Sequence, residues 1–165
     1  MQNTKYNNIN PIFLQVVYVL PPLVAALLFA INAMWILCII SLVLGLCFYA
    51  ASRKNEISIR KILFFMIISS LALYPSLFAV WNLHIIALVL NALAILLALF
   101  LSKDELRGKM NYALISFFII LAIANIIENV IATSSIKLWY CIVFHFLIAA
   151  LLIVRSLLTG KKSNF

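Results

Sequence analysis

Residues 12–51 read IFLQVVYVLPPLVAALLFAINAMWILCIISLVLGLCFYAA, a stretch of forty residues without one charge. About 20 apolar residues suffice to cross about 30 Å of hydrocarbon. At a rise of 1.5 Å per residue, one helix of this length would overshoot a bilayer by about 30 Å. The chain must therefore double back. Asn32, within Ala30-Ile31-Asn32-Ala33, is the turn this predicts, and it leaves runs at 12–31 and 34–51. The same reasoning divides 62–101 at Trp81-Asn82-Leu83-His84 into runs at 62–80 and 84–101. Two further runs, 112–132 and 138–158, are separated by Thr133-Ser134-Ser135-Ile136-Lys137. In lipid every backbone N–H and C=O needs a partner inside the protein, so a span is a helix or part of a closed barrel. Barrel strands alternate polar and apolar side chains. These runs are apolar on all sides, which predicts helices. The expectation is an all-α polytopic membrane protein, a bundle of six transmembrane helices in three hairpins, forming one transmembrane domain over residues 1–165.

Composition supports a chain dissolved in a bilayer. Of 165 residues, 67% are hydrophobic and 10% charged, and the mean hydropathy is +1.22. Soluble domains run near 45–50% apolar and about 25% charged, and a domain of this size keeps much of its surface in water. A soluble enzyme, a disordered tail and a disulfide-stapled secreted module are excluded on these grounds. The segment preceding the first run is a poor signal n-region, with one lysine and no small-residue cleavage site after the apolar stretch. It reads as leading into a retained span.

The charges orient the chain. The net charge is +8, with twelve Lys and Arg. Lys5, Arg53, Lys54, Arg60, Lys61, Lys103, Arg107, Lys109, Arg155, Lys161 and Lys162 fall at the ends of the chain or in the second and fourth breaks. Only Lys137 falls in an odd-numbered break. Cytoplasmic loops carry the excess of Lys and Arg, so both termini are expected in the cytoplasm and the protein in the cytoplasmic (inner) membrane, multi-pass. Trp35, Trp81 and Trp139 fall at the outer ends of runs and Tyr6, Tyr49 and Tyr112 near the inner ends, as suits rings that favour the headgroup level. Basic breaks recur about every fifty residues, a spacing read as hairpin geometry rather than duplication. The basic residues form no continuous face with interleaved aromatics, so no nucleic-acid partner is expected.

No catalytic or phosphate-binding motif is present, and no catalytic, cofactor-binding or metal-binding residue is expected. Cys38, Cys47 and Cys141 have no metal-ligand spacing and read as small apolar side chains, with a Cys38–Cys141 bridge as the alternative. Of the four acids, Glu56, Asp104 and Glu105 lie among loop bases and only Glu128 lies in an apolar run. Asn125, Glu128 and Asn129 are spaced i, i+3, i+4 and share a helix face. Asn91 and His145 fall at comparable depths in the fourth and sixth runs. These five, Asn91, Asn125, Glu128, Asn129 and His145, form a candidate polar pocket in the outer half of the membrane, with Glu128 binding a cation or proton and His145 as its partner. The other reading, to which the balance leans, is that Glu128 lies close enough to the interface to reach headgroup water while the amides join helices by interhelical hydrogen bonds. Pro21-Pro22 predicts a bend in the first helix, and Arg155 is expected to snorkel to the cytoplasmic interface. Gly45 is the one glycine of three inside a run and pairs with Ser41 as a small-xxx-small contact.

The leading functional expectation is a non-enzymatic integral membrane protein. It acts by intramembrane helix contacts as an accessory, assembly or immunity-type subunit, with lipid and another membrane protein or a second copy as partners. The alternative is a small carrier or channel, transporting a cation, a proton-coupled solute or another small molecule through the pocket around Glu128.

Overall fold

The fold is taken from a computed structural model, which describes residues 11–53, 59–100, 109–131 and 138–160. All regular structure among them is helical: α1 (Pro11–Ile31), α2 (Trp35–Ser52), α3 (Ile59–Val80), α4 (His84–Phe100), α5 (Lys109–Ile131) and α6 (Trp139–Gly160), with no strand. Sequential helices pair as α1–α2, α3–α4 and α5–α6. α3 also packs against α1, α2, α5 and α6, so it touches every other helix. Two stretches, Asn111–Ile131 and Trp139–Leu158, are long and apolar enough to cross a membrane. The apolar stretches of the other four helices, Gln15–Ile31, Trp35–Ala50, Met66–Val80 and His84–Leu99, are shorter within the described residues. Lys5, Lys54, Lys103, Arg107, Lys137, Lys161 and Lys162, on which the expected orientation rests, lie outside the described residues, as does the Thr133–Lys137 break.

The reversals near Asn32 and Trp81 are two copies of one turn. In the first, Met34 N–H donates to Phe29 O (2.9 Å) and Ala33 N–H to Ala30 O (3.0 Å). In the second, 49 residues on, Leu83 N–H donates to Phe78 O (2.8 Å) and Asn82 N–H to Ala79 O (3.1 Å). This is the Schellman ending, in which a left-handed residue lets the chain return two N–H groups to the last helical carbonyls. The left-handed residues are Ala33 (φ 57°) and Asn82 (φ 58°). Both turns follow Leu-Phe-Ala, at Leu28-Phe29-Ala30 and Leu77-Phe78-Ala79. The residue that reverses direction is thus Ala33, one beyond the expected Asn32. Asn32 instead uses its side chain: Nδ2 donates to Leu28 O (2.7 Å) and Oδ1 accepts from Trp81 Nε1 (3.2 Å), tying the two turns together.

α1 runs through Pro21 and Pro22 as one helix. The missing N–H groups of Pro21 and Pro22 leave the carbonyls of Val17 and Tyr18 without their helical donors, and at the same place the Tyr74 hydroxyl of α3 donates to Pro21 O at 3.0 Å, tying α3 to α1. The core joins Phe29, Leu37, Leu73, Leu77, Leu114, Phe118 and Leu152 from all helices except α4, which contributes Ala87, Ala94 and Ala98. That alanine stripe keeps the approach to α4 close.

Candidate functional site

Eight polar side chains lie on the inside. Ser41, Ser69, Ser76, Asn91, Asn111, Asn125, Glu128 and His145 are all buried. Of the five expected pocket residues, four are therefore interior and Asn129 is exposed. Helix geometry accounts for the difference. At about 100° per residue, Glu128 stands about 60° to one side of Asn125 and Asn129 about 40° to the other. The buried stripe of α5 runs through Leu114, Phe118, Leu121 and Asn125 to Glu128.

Glu128 is an N-cap supplied from another helix. Its Oε1 accepts the N–H of Ile36 at 2.7 Å and of Leu37 at 3.3 Å. Met34 precedes α2, and its carbonyl accepts the N–H of Cys38 (3.0 Å). Met34 thus holds the capping position without a side-chain oxygen, and the first-turn N–H groups of a helix have no partner within it. The carboxylate of α5 satisfies two of them and sits at the positive end of the α2 dipole.

Arg155 plays the opposite part at the other end of the bundle. Its Nη1 donates to Ala98 O (2.8 Å) and Leu99 O (3.3 Å), carbonyls in the last turn of α4. A cation there meets the negative end of the α4 dipole. The side chain is thus engaged with a neighbouring helix end, where the sequence suggested only snorkelling.

His145 is fully buried on α6. Its Nε2 lies 3.0 Å from Ala72 O of α3; a carbonyl only accepts, so Nε2 carries the proton in that bond. Nδ1 has no partner, so the ring makes no hydrogen bond to Glu128, and the two anchor different helices. Ser76, Asn91, Asn125 and Cys141 gather where α3, α4, α5 and α6 meet. The Ser76 hydroxyl donates to Asn125 Oδ1 (2.8 Å), while Asn125 Nδ2 donates to Leu121 O (2.8 Å). The Cys141 thiol lies beside the side chains of Asn91, Ser76 and Tyr140. Neither amide atom of Asn91 has a partner at hydrogen-bonding geometry. At the outer edge of this group the Tyr140 hydroxyl is 3.1 Å from Nδ1 of the exposed His84.

All three cysteines are free, so Cys38 and Cys141 are not bridged. No cluster of three or more metal-ligating side chains occurs among the described residues. Sequence reasoning missed Ser76, Tyr140 and the polar surroundings of Cys141. The available signal was Cys141 and His145 four apart on one helix face. Set against models of known families, curated proteins and solved structures, the chain finds no match in any of the three.

Proposed function

We propose that the chain is an integral protein of the cytoplasmic membrane, crossing it six times with both ends inside. It works by helix-to-helix contact as an accessory, assembly or immunity-type subunit. Its inverted polarity supports the membrane part. Large apolar side chains face outward on every helix, among them Leu27, Leu46, Ile67, Ile85, Val130 and Leu157, while the eight buried polar side chains face inward. A soluble monomer rarely exposes apolar patches beyond a few hundred Å²; a lipid-facing surface carries no such penalty. Helices of 17–23 residues measure about 25–35 Å at 1.5 Å per residue, the scale of a hydrocarbon core.

The observation that carries the contact reading is the use made of Glu128. An intramembrane acid is by default a functional-site hypothesis. Here the carboxylate is turned onto the first turn of α2, so the energy of burying it is returned as helix-end stabilisation inside the bundle. A cation carrier centred on Glu128 has less support, because its carboxylate and the His145 ring serve separate helices. The outward apolar faces are then the surface available to a partner. Quantitative cross-linking in native membranes, followed by capture in mild detergent, should recover the chain with a second membrane protein or with itself. Recovery as a lone monomer throughout would defeat the reading. A solute flux in reconstituted vesicles that Glu128→Gln abolishes, with folding intact, would install the carrier instead.

A further inference from the structure

Asn91 is 0% exposed, yet both its amide donor and its amide acceptor lack a partner. Buried polar groups are almost always paired, and an unpaired amide in apolar surroundings costs several kcal/mol. A side chain with both halves unmet calls for an occupant that donates and accepts at once. The surroundings are polar enough to hold one. Cys141 of α6 is adjacent, and beyond it stand Ser76 and Tyr140. One turn deeper on α6, His145 leaves Nδ1 open as an acceptor. Along α4, Ala87 and Ala94 flank Asn91 about one turn to either side, and their methyl groups add little bulk. The polar groups also lead outward, since Tyr140 reaches the exposed His84.

We propose that the seam between α4 and α6 is a binding site for a small neutral molecule that both donates and accepts hydrogen bonds. It is seated against the Asn91 amide and the Cys141 thiol, and water is its resident occupant. Tyr140 and His84 line the way in. A water needs two to four polar partners, and Asn91 Nδ2, Asn91 Oδ1 and the Cys141 sulfur supply three. The site is independent of Glu128, which faces α2.

The test uses the full chain in mild detergent. With 15N-labelled asparagine, the Asn91 side-chain amide should show a cross-peak to water and exchange in D2O within minutes, although it is buried. No water cross-peak, with protection lasting hours as for neighbouring helical amides, would overturn the proposal. The second measurement uses Cys38→Ala, Cys47→Ala protein and methyl methanethiosulfonate, a small neutral thiol reagent. Cys141 should react while the protein is folded, and Asn91→Leu, which fills the seam with hydrocarbon, should slow the reaction at least tenfold. Reaction at an unchanged rate in that variant would mean the reagent arrives by another path, and the seam would not be a site. Should Asn91→Leu fail to fold, the water measurement on the unaltered chain decides alone.

Discussion

Met34, Leu83 and Leu138 each stand just before a helix, with the carbonyl accepting from the N–H four residues on. None has a side-chain oxygen to accept the first-turn N–H groups, although Ser, Thr, Asp and Asn are the usual occupants of that position. For α2 the deficit is met by Glu128, so removing the carboxylate should behave as loss of a buried cap. Glu128→Ala is expected to lower stability by about 2 kcal/mol, within the range for a lost cap or an unsatisfied buried N–H. Thermal unfolding in detergent, followed by circular dichroism, would measure it. Asn129→Ala, one residue on and exposed, should change little. Equal losses at the two positions would remove the cap explanation. The left-handed residues give a prediction of opposite sign. Ala33 holds φ 57°, a conformation that costs an L-residue with a Cβ about 1–2 kcal/mol. Ala33→Gly should therefore raise stability by about 1 kcal/mol, the gain being trimmed by glycine's larger unfolded-state entropy. Asn82 occupies the equivalent place with a residue that tolerates it, so Asn82→Ala should lose stability in the same assay.

The six helices were legible because each comes from an uncharged or nearly uncharged run, and the folding-back within 12–51 and 62–101 followed from length alone. What pattern could not supply was the partner of each end. A Met-Trp-Ile-Leu start and a stray Glu 92 residues later carry no local sign that one completes the other. Likewise Asn125 and Glu128 were legible as a shared face, but which side of Asn125 is buried depends on where α2 and α3 lie. Gly45, expected with Ser41 to allow close helix contact, faces Pro22 and Leu23 of α1. A Cβ built there meets Leu23 Cδ2 and Pro22 Cγ at 3.7 Å, an ordinary van der Waals distance. The glycine is not required for approach, and Gly45→Ala should stabilise α2 by about 0.5–1 kcal/mol through helix propensity. A marked loss of melting temperature would mean that the α1–α2 interface tolerates no added methyl.

Taken whole, the bundle turns eight polar side chains inward and uses the last hairpin to brace the first two. Glu128 from α5 meets the start of α2, and Arg155 from α6 meets the end of α4. The two charges sit on opposite helix dipoles at opposite ends of the molecule. On the proposed six crossings, α2, α4 and α6 run from the outer face inward, and Glu128 lies near the outer face as α5 reaches it. The proposed orientation rests on the distribution of Lys and Arg, since all but Lys137 among the twelve fall on one side in this topology. The tertiary contacts give only the antiparallel course of the helices, and the loop charges carry the proposed sidedness. They make a joint prediction, readable in a background with Cys38, Cys47 and Cys141 replaced by alanine. In intact cells, Lys137→Cys should react with a membrane-impermeant maleimide from outside. Lys103→Cys should react only after permeabilisation, as should cysteines added at either terminus. Labelling of one terminus from each side would require an odd number of crossings. The antiparallel course that brings Glu128 and Arg155 to their helix ends would then have to be reached by a hairpin that enters the membrane without crossing it.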